Sequence, residues 1–265
     1  MKILALDTSS NACSVALLCD SESRIRHEIV PRRHASHILS YIEEILDTER
    51  VSLDALAWGC GPGSFTGLRI AASVIQALGF VCQLPIINVS SLAALAQTAY
   101  QEHGWKQLAV AVDARMKEIY WGAYQINEEG YAELIHQEEL YSPQQLSTIL
   151  KENIYFSTAW HGVGNAWSVY RSELDFYYKN KKNQQDVSCL PKALAVALIP
   201  RKMIMSATES SRKPASRSGM TTRMDRTRHP TTARESVCPT PHSPPTQAAW
   251  ESLRCSLTIV ETATM

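Results

Sequence analysis

The apolar positions of the first hundred residues change between a period of two and a period of three to four. Short apolar or alternating runs predict β-strands at Lys2–Leu6, Ser14–Cys19, Arg24–Ile29, Ala55–Trp58 and Pro85–Val89. Apolar residues with helical spacing predict helices at Ser36–Leu46, Leu68–Phe80 and Ser91–Tyr100. Strands that alternate with helices in this way are typical of an α/β lobe.

A second series of strands opens the other half of the chain. Leu108–Asp113 and Glu118–Tyr124 are joined by the short segment Ala114–Lys117, which predicts a β-hairpin. The pair Ser142-Pro143 predicts the start of a further helix, because serine caps helices and proline is favoured in the first turn. A hairpin followed by helices in each half predicts two α/β lobes, at residues 1–100 and 101–199.

The character of the sequence changes near Pro200. From there to Met265 the chain is rich in Ser, Thr, Arg and Pro, and apolar periodicity is almost lost. Such a segment cannot bury enough apolar surface to offset the conformational entropy of folding. The change falls inside Ala193–Ile199, an apolar segment that predicts a helix. We therefore interpret residues 200–265 as a disordered or frame-shifted tail, and we expect the second lobe to be incomplete.

Charge and cysteine content narrow the class of protein. The 26 Lys and Arg residues balance 26 Asp and Glu residues, so no net charge favours nucleic acid or a membrane surface. No apolar run reaches the roughly 20 residues that span a bilayer. The 7 cysteines are scattered and form no CxxC pair. Those in or beside apolar segments favour buried, reduced thiols and a cytoplasmic protein: Cys13, Cys19, Cys60 and Cys82.

The most informative motif is the segment Gly61–Arg69, GPGSFTGLR, between a predicted strand and a predicted helix. Glycines at such a turn can direct main-chain N–H groups toward an anion at the helix N-terminus. The spacing matches neither GxGxxG nor GxxxxGK[ST], so the dinucleotide and P-loop motifs are excluded. A purely structural turn is the alternative interpretation.

Three motifs together resemble the TsaB family, also called YeaZ. They are Asp7-Thr8-Ser9 after the first strand, the Gly61–Arg69 segment, and Val112–Arg115 at the second hairpin. The later segment Leu190–Ala193 fits the same pattern. The resemblance covers residues 1–199, and nothing in the tail matches it.

The resemblance implies the actin-like, sugar-kinase and Hsp70-type (ASKHA) fold, in which two lobes each carry a mixed β-sheet flanked by helices. TsaB proteins are paralogues of the transferase TsaD. The resemblance therefore implies a chain that is not itself an enzyme and that supports TsaD as a heterodimer, assisted by the ATPase TsaE. The product is threonylcarbamoyladenosine at position 37 of tRNAs that read ANN codons. Contact with tRNA would be indirect, and the chain could form a homodimer when TsaD is absent.

Active members of this fold hold nucleotide phosphates between the lobes with the equivalent hairpin and glycine loop. The resemblance implies no required cofactor and at most a weak or vestigial adenine-nucleotide site. Its residues would be Asp7, Thr8, Ser9, Gly61, Gly63, Thr66 and Gly67.

The residues argue against a catalytic centre. TsaD-like proteins bind a metal through two histidines four positions apart on one face of a helix. The corresponding positions here are Ser91 and Leu95, a poor ligand and a side chain without a donor atom, so no metal site is predicted. His34 and His37 lie beside two arginines, with no carboxylate or cysteine to complete a ligand shell. We expect solvated or capping roles for this pair.

Two further groups carry open alternatives. Asp113 with Arg115 could be an acid and its orienting partner, although a structural ion pair at a hairpin turn is favoured. His161–Asn165 could face a nucleotide or form a plain loop. No Ser/His/Asp or Cys/His set is singled out by its spacing, so no catalytic residue is predicted.

The resemblance also implies where a partner would bind. In the family, the two helices that follow the first strands and the glycine loop pair with their equivalents on TsaD. We expect their apolar stripes to contribute Leu39, Ile42, Leu46, Val74 and Leu78 to this interface. The alternative is that these stripes only pack inside the first lobe.

Other functions remain as competing hypotheses. An ATP-dependent transferase or kinase of the same fold would need a magnesium carboxylate and phosphate loops in both lobes, of which Asp7 and Gly61–Gly67 supply only a part. A metallopeptidase-like enzyme is less favoured, because the ligand pair is missing. Direct tRNA binding has weak support, since the basic residues form small patches without interleaved aromatic side chains.

Overall fold

Residues 1–20, 22–46, 52–152, 160–174 and 185–200 are described in the computed structural model. They form two mixed β-sheets flanked by helices. The first sheet has the order β3-β2-β1-β4-β5, with β2 antiparallel to β1 and β3, and with β1, β4 and β5 parallel. Its elements are β1 (Lys2–Asp7), β2 (Ala12–Cys19), β3 (Glu22–Ile29), α1 (His34–Leu46), β4 (Ala55–Gly59), α2 (Phe65–Cys82) and β5 (Ile86–Val89).

The second sheet repeats the arrangement of the first. Its order is β8-β7-β6-β9-β10, with β7 antiparallel to β6 and β8, and with β6, β9 and β10 parallel. The remaining elements are α3 (Ser91–His103), β6 (Gln107–Arg115), β7 (Glu118–Ile126), β8 (Ala132–Tyr141), α4 (Pro143–Glu152), β9 (His161–Val163), α5 (Ala166–Val169), β10 (Gln185–Asp186) and α6 (residues 193–200).

The repeated strand order confirms the predicted fold class of two lobes with mixed sheets flanked by helices. Every element predicted in the first half is present, with ends that differ by at most three residues. The sequence did not predict β8, because this edge strand is exposed or half-exposed along its whole length and therefore has no alternating apolar face.

Helices α1 and α2 cover one face of the first sheet. The apolar residues of this layer pack with those of β1, β2 and β4 in one buried cluster. Helix α2 is long and apolar enough to cross a membrane, with a mean hydropathy of 1.6 over 18 residues. This is weak evidence for a membrane span, because a helix that packs in a protein core has the same composition.

Helix α6 covers the opposite face of the first sheet, although it follows the second lobe in sequence. Ala193, Ala195, Val196 and Ala197 are fully buried against alanines and larger apolar residues of β1, β2 and β4. The backbone N–H of Ala193 donates to the Ser14 hydroxyl of β2 over 2.9 Å. The predicted lobe limits of 1–100 and 101–199 stay a prediction, but this helix ties the end of the second range to the first sheet.

Helix α3 lies between the two sheets. Leu92, Leu95 and Ala99 pack with residues of β6 and β7, whereas Ala94 packs with the first sheet and α6. The other face of the second sheet packs on α4 and α5 around Trp121 and other tryptophans. Both lobes therefore share α3 as a common layer.

The five described cysteines are all free thiols. Cys13 is buried and Cys19 and Cys82 are half-buried, but Cys60 is exposed, so the prediction of burial is wrong for Cys60. This cysteine follows β4 and lies at the start of the glycine loop, outside the sheet's core. The predicted tail at 200–265 lies outside the described residues, except for Pro200 at the end of α6.

Candidate functional site

A cleft of about 670 Å³ lies between the two lobes. The first hairpin, the glycine loop, one face of α3, the second hairpin and the segment before α6 line it. Its polar lining residues are Ser9, Ser10, Asn11, Ser64, Ser91, Asp113, Arg115, Asn165 and Ser188. Its larger apolar residues are Phe65, Leu92, Leu95, Val112, Tyr120, Val187 and Leu190.

The glycine loop is packed tightly on the first hairpin. A Cβ added at Gly67 would lie 1.9 Å from the carbonyl oxygen of Thr8, and one at Gly63 would lie 2.4 Å from the carbonyl oxygen of Ser9. The Thr8 hydroxyl donates to the Gly67 carbonyl over 2.7 Å, and the Ser64 N–H donates to the Ser9 carbonyl over 2.7 Å. Backbone-to-backbone contact is therefore sufficient to require these two glycines, as the structural alternative expects.

The residues predicted for a nucleotide site divide into three groups. Ser9 and Gly63 line the cleft. Asp7, Thr8 and the remaining glycines lie beneath its surface, and Thr66 is exposed on the first turn of α2 without lining the cleft. The nucleotide site stays a prediction.

Asp7 ends β1 and is completely buried. Its Oδ1 atom accepts from the Ser9 N–H over 3.0 Å and from the Ser9 hydroxyl over 2.8 Å. Its Oδ2 atom has no hydrogen-bond partner in the described structure and packs against Gly59, where an added Cβ would lie 1.9 Å away. Burial raises the pKa of Asp7 to about 6, against the opposing effect of the hydrogen bonds from Ser9.

The raised pKa predicts a pH dependence of stability. An unfolded Asp loses its proton near pH 3.8, whereas the folded protein keeps it up to about pH 6. The free energy of unfolding that Asp7 contributes therefore falls as the pH rises from about 4 to about 6, by an amount on the order of 3 kcal/mol. We expect Asp7→Asn to remove this fall. Urea unfolding of the unchanged chain and of Asp7→Asn at several pH values measures the effect. If the difference in free energy of unfolding between the two proteins did not change with pH, the raised pKa of Asp7 would be contradicted.

The face of α3 that lines the cleft carries the two positions considered for metal ligands. Ser91 and Leu95 both face the cleft and are both almost fully buried. The Ser91 hydroxyl accepts from the Gly61 N–H over 3.1 Å, and the Ser91 N–H donates to the Gly61 carbonyl over 2.8 Å. Ser91 therefore anchors the glycine loop, and Leu95 presents a hydrocarbon surface to the cleft.

Asp113 occupies the position in the second lobe that Asp7 occupies in the first. Its Oδ1 atom accepts from the Arg115 N–H over 3.0 Å and from the Tyr170 hydroxyl over 2.9 Å, and its own N–H donates to Asn165 over 3.0 Å. The Arg115 guanidinium is 87% exposed and lies 3.6 Å from Oδ2. These contacts favour the structural interpretation of the Asp113–Arg115 pair. Burial and the hydrogen bond to Asp113 raise the pKa of Tyr170.

The two histidines of α1 do not point to a shared ligand. His34 is buried, whereas the Nδ1 atom of His37 lies 2.8 Å from the Arg33 carbonyl and 2.9 Å from the Ser36 hydroxyl. The His37 ring also contacts the edge of Tyr41 at 5.7 Å. These contacts join the ring to a carbonyl and a hydroxyl and not to the N–H groups of the first turn of α1, so the capping role stays a prediction.

The residues predicted for the partner interface are mostly core residues. Leu39, Ile42, Val74 and Leu78 belong to the buried cluster beneath α1 and α2, and Leu46 packs against it. Their burial agrees with the alternative, in which these stripes pack inside the first lobe, and the partner interface stays a prediction.

The exposed stripe of α2 has aromatic ends and a polar middle. Phe65 is 69% exposed and Phe80 is 78% exposed, at opposite ends of the helix. Arg69, Ser73 and Gln76 lie between them on the same face. The Arg69 guanidinium lies 4.1 Å from the centre of the Phe65 ring. We call these five residues the α2 stripe.

Sequence reasoning missed a polar network that joins α3 to the second sheet. Ser90 caps α3 by accepting from the Leu92 N–H over 3.1 Å and from the Ala93 N–H, and its hydroxyl donates to Glu138 of β8. The Tyr124 hydroxyl donates to the same Glu138 oxygen. No local signal could have revealed this network, because β8 itself had no recognisable pattern.

The fold and the cleft together define a class: a two-lobed α/β protein of the actin and sugar-kinase type. Ser91 and Leu95, which were predicted to stand at the metal-ligand positions of α3, line the cleft of this chain. A sequence model of the TsaD family, described as tRNA N6-adenosine threonylcarbamoyltransferase, matches residues 24–221. The match ends beyond residue 199, where the sequence resemblance was expected to end.

Curated relatives and solved structures narrow the family further. TsaB of Escherichia coli, a tRNA threonylcarbamoyladenosine biosynthesis protein, is 40% identical over 173 residues, which cover 64% of this chain and 74% of the relative. TsaB of Haemophilus influenzae is 39% identical over 181 residues, with the same coverage. YeaZ from Pseudomonas aeruginosa superposes with a TM-score of 0.70 at 37% identity, over 78% of this chain and 93% of that one. The chain belongs to the TsaB (YeaZ) family.

Proposed function

We propose that this chain is a non-catalytic partner of a TsaD protein in the formation of threonylcarbamoyladenosine at position 37 of tRNAs that read ANN codons. The names of the TsaB relatives support the pathway. The observation that carries the non-catalytic role is the α3 face, where Ser91 anchors the glycine loop and Leu95 closes the other ligand position. The five described cysteines are free thiols, which supports a cytoplasmic location. We expect TsaE to be a further component of the complex, as the family resemblance implies.

The α2 stripe supplies the surface for this partnership. Two large aromatic side chains that are 69% and 78% exposed cost free energy in water and favour burial against another chain. The small side chain of Ser73, in the middle of the α2 stripe, allows the axis of a second helix to approach to about 8–10 Å. The stripe carries one charged side chain, Arg69, so a mostly apolar helix is its expected partner.

The α2 stripe is also nearly symmetric about its centre. When two such helices pair antiparallel about positions 72–73, each Phe65 lies opposite a Phe80, and each Arg69 lies opposite a Gln76. A second copy of this chain fits this arrangement. A TsaD paralogue carries an equivalent helix in the same place, so the heterodimer would replace the homodimer on one surface.

The interface has a direct test. We expect the double variant Phe65→Glu/Phe80→Glu to bind a cognate TsaD about 100-fold more weakly than the unchanged chain, because both anchors become charged. The matched control is Ile135→Glu on β8, which is 46% exposed and lies outside the stripe. Co-purification and titration calorimetry measure the difference. Equal binding of the double variant and the unchanged chain would contradict the proposed interface.

The side chains that line the cleft favour weak nucleotide binding. The only cationic side chain that lines it among the described residues is Arg115, which is 87% exposed and pairs with Asp113. Gly63 and Gly67 are already packed on hairpin carbonyls. We therefore expect MgATP to bind with a dissociation constant of about 1 mM or weaker. Titration calorimetry measures this constant, and micromolar binding would favour the kinase or transferase alternative instead.

A further inference from the structure

The segment that leads from the second sheet into α6 is held against the last turn of α3. This strap, residues 185–192, begins with β10 and carries one wall of the cleft. Asp186 contacts His103, and Lys192 contacts Glu102. The Lys192 N–H also donates to the Thr98 hydroxyl over 3.2 Å. The contacts therefore concentrate ionisable side chains at one place, away from the hairpins and the glycine loop.

Three of these side chains form a compact set of ligand atoms. One atom each of Glu102, His103 and Asp186 lies within 4.8 Å of the other two. The His103 Nε2 atom is 2.8 Å from the Asp186 Oδ2 atom. The side chains of Glu102 and His103 are 34% and 33% exposed, and that of Asp186 is 16% exposed, so an ion can reach the cluster from solvent.

The carboxylate of Asp186 is oriented by its own neighbours. Its Oδ1 atom accepts from the Ser188 N–H over 2.9 Å, from the Ser188 hydroxyl over 2.7 Å and from the Cys189 N–H over 2.9 Å. The Oδ2 atom is thereby directed toward His103. Surrounding hydrogen bonds that fix a carboxylate in this way are a regular feature of metal sites.

The ring of His103 is also fixed. It stacks on Trp105 with ring centres 4.3 Å apart, and Trp105 stacks on His161 at 4.5 Å. An imidazole held between a carboxylate and an aromatic ring has little rotational freedom to lose when a ligand binds. The site is therefore largely preorganised.

The helix dipole favours a cation at this place. Helix α3 ends at His103, with Gly104 as its C-cap, so the negative end of the helix dipole lies beside the cluster. Lys192 contacts the Oε1 atom of Glu102, and the Cys189 thiol donates to the Oε2 atom over 3.8 Å, so a bound ion would displace one of these two contacts. Two carboxylates and an imidazole, with water in the remaining position, form a donor set that suits zinc.

We propose that Glu102, His103 and Asp186 bind a divalent zinc-class cation that fastens the strap to α3. On binding, the His103 Nε2 atom gives its lone pair to the metal while the ring proton remains on Nδ1. The ion replaces the direct contact between His103 and Asp186 with two bonds to one centre. The strap leads directly into α6, so the bound ion would stabilise the packing of α6 on the first sheet.

The test uses the full chain, freed of metal with a chelator and titrated with Zn²⁺ alone. We expect one ion per chain with a micromolar or tighter dissociation constant, and a higher unfolding temperature in the presence of Zn²⁺. His103→Ala and Glu102→Gln should each weaken binding about 100-fold and abolish the temperature shift. His136→Ala on β8 is the matched control and should bind as the unchanged chain does.

Two results would overturn the proposal. One is the absence of stoichiometric Zn²⁺ binding to the folded, unchanged chain, which would leave the cluster as a set of ion pairs. The other is equal Zn²⁺ affinity in His103→Ala, Glu102→Gln and His136→Ala, which would place the ion elsewhere.

Discussion

A chain that ends after Leu190 will lose its cooperative unfolding transition, whereas a chain that ends at Pro200 will keep it. The difference between the two is helix α6, which packs on the first sheet. Its larger apolar side chains that contact this sheet are Leu194, Val196, Leu198 and Ile199. Their loss costs about 5 kcal/mol or more, which is comparable with the whole stability of many domains.

The physical reason lies on both sides of the helix–sheet contact. Removing α6 exposes Ile3, Ala5 and Leu18, which are buried in the intact structure. It also removes the hydrogen bond that the buried Ser14 hydroxyl accepts from the Ala193 N–H. Thermal and urea unfolding, followed by circular dichroism, measure the effect. Equal stability of the two truncated chains would contradict the packing of α6 on the first sheet.

Gly67→Ala is expected to destabilise the first lobe by about 3 kcal/mol, at the upper end of the range for overpacking. The new methyl group would lie 1.9 Å from the Thr8 carbonyl oxygen, which is backbone and cannot rotate away. The glycine loop would therefore have to move off the first hairpin, and its hydrogen bond from the Thr8 hydroxyl to the Gly67 carbonyl would break.

Gly104→Ala provides the control for that substitution. Nothing lies within 4 Å of a Cβ at Gly104, so only its φ of +71° opposes the change. A residue forced into the left-handed region costs about 1–2 kcal/mol, which is clearly less than the clash at Gly67. Urea unfolding of the two variants distinguishes a steric cost from a purely conformational one. Equal losses would show that the loop is not locked to the hairpin as described.

Strands with a buried face were predicted from their apolar runs, whereas of the two longer strands that have no buried residue only β3 was predicted and β8 was not. The strands β1, β2 and β4 are almost wholly buried, so their apolar runs were unambiguous. Strand β8 has no buried residue and carries charged and amide side chains, so it has no periodic pattern. The short strands β9 and β10 depend on pairing with neighbours that are distant in sequence.

The glycine motif marked an important turn, but its physical role depended on a contact between distant segments. Sequence alone allowed either an anion cradle or a structural turn at Gly61–Gly67. Only the position of the Thr8 and Ser9 carbonyls, some 55 residues earlier, accounts for Gly63 and Gly67 by close packing. Asp7 itself packs against a different glycine, Gly59, at the end of β4.

The partner surface shows the limit of periodicity most clearly. Helical spacing identified the apolar stripes of α1 and α2 but could not say what covers them. The first sheet covers Leu39 and Val74. Phe65 and Phe80 are instead exposed, on the face of α2 away from those core positions, and they carry the proposed interface.

Reconstituted tRNA modification tests the central claim most directly. The assay combines tRNA, a cognate TsaD and the other proteins of the pathway, with and without this chain, and measures threonylcarbamoyladenosine. A parallel reaction uses a TsaD whose metal-binding histidines are replaced. We predict that modification requires both proteins, saturates at one chain per TsaD, and is absent with the altered TsaD. Modification by this chain without a functional TsaD would contradict a non-catalytic role.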